Sequence, residues 1–358
     1  MKIKKILAAI AAAAMALSVA ACSSSTDSNG SSAADSSVAD TSAADSSADD
    51  TSATNSSEAD TPADKVYNIG ICQLVQHEAL DAATKGFKDV LTEKLGADNV
   101  KFDEQNANGE STNCTTICTG FAAANVDLIL ANATGALQAA GAATSTIPIL
   151  GTSVTDYATA LDIDDWNGTT GRNISGTSDL APIDEQAKML IEMFPDAKTV
   201  GVLYCSSEAN SKYQATKFIE ALEGTGVTAK EYSAADTNEI SAVTTTAAAE
   251  CDVIYIPTDN TMASSTETIK NIVVPAGKPV IAGEEGICKG CGVATLSISY
   301  EDLGRATGEM AYEILVNGAD ISTMEIKYAS AVTKKYNPAI CEELGITPPE
   351  GYEAIAAE

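Results

Sequence analysis

Only one histidine occurs in the chain, His77, and it sits in "QLVQHEALDA" (73–82), between an apolar run and a helix-like one. An imidazole there could act as a base, a metal ligand or a binding contact. Base catalysis on a nucleophile needs a positioned partner. No G-x-S-x-G occurs, and no serine is marked out as that partner. Phosphate-loop spacings of the G-x-x-x-x-G-K-[ST] kind are absent, and no G-x-G-x-x-G is well placed. The second chemical feature is "CKGC" (288–291). C-x-x-C suits a redox pair or half of a zinc site. It is flanked by Gly286 and Gly292, with Gly290 inside it, and reads as a loop. Its expected state is a local disulfide or two free thiols. Zinc would need two more ligands, for which Cys114 and Cys118 in "CTTIC" are available only on paper. "DIDDWNG" (162–168) begins like a calcium loop, but Trp166 occupies a ligand position and no glutamate closes it at Asn173. Trp166 reads as a packing or surface-loop residue. No metal, cofactor or catalytic residue is therefore expected, and the chain is read as a non-enzyme.

Elements must position whatever chemistry remains. Residues 1–22 read as an export signal: a basic start, Lys2 to Lys5, an apolar run too short to span a bilayer, then Val19-Ala20-Ala21-Cys22. That ending is similar to a bacterial lipoprotein box, which would make Cys22 the lipid attachment site; an ordinary cleavage near Ala21 is the alternative. Residues 23–65 are mostly Ser, Ala, Thr and Asp with almost no large apolar residue, which predicts a disordered, self-repelling tether. The rest, about 290 residues, suits two lobes. A net charge of −29 argues against nucleic acid and against docking on anionic lipid. Nine cysteines include Cys22, leaving eight in the folded part. Their scatter does not form a disulfide framework, and the sequence leaves their redox state open.

Short apolar runs alternate with helical repeats. Strands are predicted at 66–72, 100–107, 126–133, 147–154, 199–205, 228–234, 252–258, 279–285 and 293–299. Leu80, Ala83, Phe87, Val90, Leu91 and Leu95 give one helix an apolar face, and Ile183, Ala187, Leu190, Ile191 and Phe194 another. Alternation of this kind predicts an α/β fold with doubly wound parallel sheets. The order is used twice, which predicts lobes at 66–175 and 176–299 joined by a hinge. Residues 300–358 are expected to supply a helix crossing back to the N-terminal lobe and a C-terminal strand and helix. Ligands in such sheets bind beyond the carboxyl ends of the strands. Those exits are rich in hydroxyls and amides: 74–78, 131–135, 151–156, 205–211, 257–260 and 283–286.

Several segments together resemble a known family. "IGICQLVQHEALDAATKGF", "ANATGALQAA", "GTSVTD", "GTSDL", "GVLYCSSEANS", "IYIPTDN" and "ATLSISYEDLGRATGEMAYEIL" are similar, in order over most of 66–345, to substrate-binding lipoproteins of ABC importers, the tryptophan- and aromatic-amino-acid-binding (TrpX-like) group. The resemblance implies a type I periplasmic-binding fold, capture of a small solute, a permease and an ATPase as partners, and attachment to the outer face of the cell membrane. It implies ligand contacts at Gln76, His77, Leu80, Thr134, Ser153 and Val154. From the second lobe it adds Ser206, Ser207, Glu208, Asn210, Thr258, Asp259, Asn260 and Glu284. Gly135 stands where relatives commonly have proline, Glu284 near a position often Asp, and Ala181-Pro182 where Thr-Pro is usual. For an amino-acid ligand, Asp259, Glu284 and Glu208 are candidate ammonium acceptors, and Thr134, Ser153, Ser206 and Ser207 candidate carboxylate donors. A sensory domain without transport, or a sugar or nucleoside as ligand, remain alternatives. His77 is then a pocket contact, with a solvent-facing helix entry as the rival reading.

Overall fold

The first strand, β1 (Tyr67–Gln73), is apolar nearly throughout because it lies mid-sheet with both faces covered. The structure is a computed structural model and describes residues 65–348 and 350–356. The expected signal segment, Cys22 and the tether up to residue 64 lie outside the described residues. After β1 come α1 (Glu78–Leu95), β2 (Val100–Asn106), α2 (Ser111–Ala124), β3 (Leu128–Asn132), α3 (Thr134–Ala143), β4 (Ile149–Val154), α4 (Tyr157–Ala160) and β5 (Ile174–Ser178). The second half runs α5 (Ile183–Met193), β6 (Thr199–Cys205), α6 (Ala209–Ala221), β7 (Thr228–Ala234), α7 (Ile240–Glu250), β8 (Val253–Ile256), α8 (Asn260–Ala263), α9 (Thr266–Val273), β9 (Val280–Ala282), α10 (Glu285–Cys291) and β10 (Ala294–Ser297). The remainder is α11 (Tyr300–Leu315), β11 (Lys327–Tyr328), β12 (Thr333–Tyr336), α12 (Pro338–Leu344) and β13 (Glu353–Ala354).

One sheet has the order β2-β1-β3-β4-β5-β11 and is parallel throughout. The other has the order β7-β6-β8-β9-β10-β12-β13. The two share a doubly wound core with the same strand order, so the repeat of architecture expected from the sequence is present. The second sheet is mixed rather than purely parallel, because β12 pairs antiparallel with β10. Apolar clusters cover both faces of each sheet.

The chain crosses between lobes three times, at 179–182, at 298–299 and at 329–332. The expected boundary at 175/176 falls inside β5, which pairs with β4 and so belongs to the first sheet through Ser178. The strand was missed because "ISGTS" is small and polar, although all five residues are buried. The tail divides between the lobes. Helix α11 packs on α1 and β11 joins the first sheet, but β12, α12 and β13 go back to the second lobe.

Helices α1 and α11 touch backbone to backbone. A Cβ on Gly304 would stand 2.0 Å from the carbonyl oxygen of Ala83, and one on Gly86 would stand 2.2 Å from that of Glu301. Only glycine allows this approach. "CKGC" is not a loop: it forms the end of α10, with Cys288 and Cys291 buried in the second-lobe core as free thiols. Burial of Ile287, Cys288 and Cys291 on one face outweighs the low helix propensity of Gly286 and Gly290. Cys114 and Cys118 lie on α2 in the first lobe, far from serving as partners to that pair. Among the described residues, no group of three or more His, Cys, Asp or Glu is arranged to hold a metal. No helix among them is long and apolar enough to cross a membrane.

Candidate functional site

In the first lobe the strand exits are held by a buried polar network. Gln73 Nε2 donates to Asp81 Oδ1 at 2.6 Å, Thr84 Oγ1 to Gln73 Oε1 at 2.7 Å, and Asn132 Nδ2 to Leu80 O at 2.8 Å. This fixes the turn from β1 into α1 beside β3, the point where the strand order reverses. The next two exits are strained. Ala133 has φ 94° and Ser153 φ 54°, the left-handed region that non-glycine residues avoid. Ser153 also lies within the irregular register between Gly151 and Val154. The hydroxyls of Thr134 and Ser153 are buried there without any hydrogen-bond partner. Helix α3 begins at Thr134 with no side-chain cap, leaving first-turn N–H groups free of one. Buried polar groups without partners are rare, and clustered at strand exits they mark a place for a ligand.

The second lobe supplies buried carboxylates. Asp259 caps α8, accepting from Met262 N at 2.8 Å and also from Cys205 N at 2.6 Å. Burial, then the negative charge of Glu208, pushes its carboxyl above the usual range. Glu284 caps α10, accepting from Gly286 N at 2.6 Å and from Ile287 N at 2.5 Å. Burial lifts its carboxyl to about 7 against the pull of those two N–H groups. Glu208 does not cap its own helix. It reaches α8 instead, accepting from Thr261 N at 2.8 Å and from Asn260 Nδ2 at 2.7 Å. Asn210 Nδ2 donates to Thr258 O at 3.2 Å, and Gln214 Nε2 to the same carbonyl at 2.9 Å. All three acids read from the sequence as ammonium acceptors thus also hold helix starts.

The hinge carries a third group. Asp179, the first residue after β5, is 2 % exposed. It accepts from Tyr300 Oη at 2.8 Å and from Thr155 Oγ1 at 3.0 Å. Burial raises its carboxyl too, with those hydroxyls opposing. Across the cleft, His77 Nε2 lies 3.2 Å from Asn260 Oδ1 and Gln214 Nε2 is 3.4 Å from Thr155 Oγ1. Lys289 Nζ pairs with Glu78 at 3.1 Å at the rim. Helices α3 and α4 pack against α6. The lobes are therefore closed on one another. A cavity of about 460 Å³ opens beside the hinge, lined by Glu78, Glu284, Ser299 and Tyr300 among others.

Of the residues read from the sequence, His77, Thr134, Ser153, Glu208, Asn210, Thr258, Asp259, Asn260 and Glu284 sit at or a few residues beyond the carboxyl ends of strands, and His77 meets Asn260 from the other lobe. Gln76 is exposed at the rim. Leu80 and Val154 are buried in the first-lobe core, where they support the exits rather than face open space. Ser206 and Ser207 are exposed and turn to Ala234 O and Cys205 Sγ. Sequence reasoning missed Thr155, Asp179, Gln214 and Tyr300. The "GTSDL" segment held a signal, an acid directly after a run of small residues, but only the fold sets it against Tyr300, more than a hundred residues later.

The model of the ABC transporter substrate binding protein family matches residues 68–358. The chain belongs to that family. A curated relative, the tyrosine-binding protein of Clostridioides difficile (strain R20291), is 37 % identical over 257 residues, 71 % of this chain and 74 % of the relative. Among solved structures, an ABC domain in complex with L-Trp from Streptococcus pneumonia is 32 % identical with a TM-score of 0.78, covering 82 % of this chain and 100 % of the other. A ligand-free, open substrate-binding protein with adhesive properties from Clostridium difficile is 36 % identical over the same shares, yet its TM-score is 0.62. The sequence at 36 % identity thus superposes less well than the one at 32 %.

Proposed function

We propose that this substrate-binding protein captures a free amino acid, with an aromatic side chain favoured, and delivers it to the permease and ATPase of an ABC importer. The observation that carries the reading is a pair of orphaned hydroxyls, Thr134 at the uncapped start of α3 and Ser153 at the exit of the neighbouring strand β4. Hydroxyls beside free helix N–H groups suit a carboxylate. Facing them, the hinge and the second lobe hold buried acids, which suit an ammonium group. A zwitterion complements both sides at once. Sugars and nucleosides have no carboxylate for the first lobe. The aromatic preference rests on the relatives, one a tyrosine-binding protein and one solved with L-Trp.

The expected cycle is reversible closure about the hinge, with no covalent chemistry. A ligand that touches both lobes favours the closed form by the contacts that only that form offers. In this reading Asn210, Thr258, Asp259 and Asn260 form the second-lobe side of the site, His77 its first-lobe rim, and Glu284 its hinge side. Cys22 is proposed as the lipid anchor on the outer face of the membrane, with residues 23–65 as its tether.

Titration calorimetry of the mature protein with L-tyrosine, L-tryptophan and L-phenylalanine tests the ligand. Saturable binding of at least one is expected. If none of the three binds, the aromatic reading falls; if none of the twenty amino acids does, the amino-acid reading falls with it. For the anchor, Cys22→Ser should move the protein from the membrane fraction to the medium.

A further inference from the structure

We propose that Asp179 is the acceptor for the ligand's ammonium group, so that the ligand's charge is captured at the hinge itself. The proposal rests on the amino-acid reading and names the residue that recognises the α-amine.

The three acids that the sequence offers as ammonium acceptors are already committed to helix starts. Asp259 and Glu284 each accept two backbone N–H bonds, and Glu208 holds the start of α8 through Asn260 and Thr261. Those donors are fixed and carry the partial positive charge of helix N-termini. Asp179 differs. Its side-chain partners are the hydroxyls of Tyr300 and Thr155, neutral groups that can rotate. A carboxylate offers about four acceptor positions, and besides those hydroxyls only its own backbone N–H draws on them, so one remains. Its negative charge is taken out of water with no cation bonded to it, an arrangement that favours a cationic partner.

A second observation concerns the neighbouring strand. Val154 pairs with Ser178, and Asp179 N donates to Val154 O at 3.2 Å. The orphaned Ser153 hydroxyl belongs to the residue just before Val154, and it is 5 % exposed. One strand exit therefore carries an unpartnered donor for a carboxylate and, on its neighbour strand, an under-compensated acceptor for an ammonium. That pairing matches the two ends of an α-amino acid. Glu284 adds negative charge from the second lobe, since it and Asp179 act on each other and on Tyr300.

The position has a mechanical consequence. Asp179 lies in the first crossover, and Tyr300 opens α11 just after the second. An ammonium bound at Asp179 is held where the two crossovers meet, so occupancy bears directly on the segment that must bend.

The test compares each amino acid with its deaminated form: L-tyrosine with 3-(4-hydroxyphenyl)propionate, and L-tryptophan with 3-indolepropionate. Calorimetry is run on the wild type, Asp179→Asn and Tyr300→Phe, with the melting temperature of each. Asp179→Asn should weaken amino-acid binding about a hundredfold or more, while the propionates change by no more than about threefold. Tyr300→Phe should keep the preference for the amine, because the carboxylate stays. Equal loss of both ligands in Asp179→Asn, or loss of the preference in Tyr300→Phe, would mean that the acid only holds the hinge and overturns the assignment. No loss places the ammonium elsewhere and also overturns it. Should the wild type bind no amino acid, the ligand reading and this inference fall together.

Discussion

His77 Nε2 lies 3.2 Å from Asn260 Oδ1, and the two residues belong to different lobes. The amide of Asn260 is oriented by its Nδ2, which donates to Glu208, so Oδ1 faces the ring as acceptor. His77 is the N-cap of α1 but makes no cap bond, leaving its ring for this contact. The bond exists only when the lobes are closed. His77→Ala should therefore weaken ligand binding about two- to tenfold, the worth of one neutral hydrogen bond, by calorimetry at pH 7.5. Unchanged affinity would show that the bridge contributes nothing to closure.

The same ring predicts a pH effect. Burial lowers the pKa of His77 from its ordinary value of 6.5, outweighing Asn260 and the nearby acids. A lowered pKa means the closed form resists the proton. Its contribution to closure is complete above 6.5 and declines as the pH falls below that value. Wild-type affinity should drop between pH 7 and 5 more steeply than that of His77→Ala. Parallel profiles would remove the ring from the linkage.

Glu284 works in the opposite sense. Burial raises its carboxyl from 4.5 to about 7, so the folded chain binds that proton more tightly than the unfolded one. Its contribution to stability is full below 4.5 and is lost as the pH rises towards 7. In Glu284→Gln, the stability difference between pH 5 and pH 8, from urea unfolding of the ligand-free protein, should be smaller than in the wild type. An identical difference would refute the assignment.

Thr134→Val separates ligand from scaffold. Its hydroxyl is buried and unpartnered without a ligand, so replacing it by a methyl of similar shape should hold or raise the melting temperature. The loss of one bond to a carboxylate should weaken amino-acid binding about ten- to a hundredfold. A large fall in melting temperature, or full affinity, would contradict the role.

Gly304→Ala tests the contact between α1 and α11. An exposed helical Gly→Ala change normally stabilises by about 1 kcal/mol. Here the added methyl meets the Ala83 carbonyl, and overpacking of this kind costs about 1–3 kcal/mol. The urea midpoint should fall; a rise would show that the helices can move apart freely.

Much of this protein can be read from its residues because the reading is local. Apolar runs such as "YNIGICQ" and periodic faces such as Leu80, Ala83, Phe87 and Val90 determine strands and helices by their own spacing, and their alternation determines the doubly wound α/β class. The exits that hold Thr134, Ser153, Asp259 and Glu284 follow, since a parallel sheet puts its binding loops at the strands' carboxyl ends. The tertiary structure decided what depends on distant partners. "ISGTS" becomes a strand only because β4 and β11 flank it, and "CKGC" becomes helix because the second core buries it. Ser206 and Ser207 turn outward, while Asp179 acquires its role from Tyr300 and Thr155. No spacing rule links an aspartate to a tyrosine across a whole lobe. Only chain crossings bring them together, and burial then takes the carboxylate out of water.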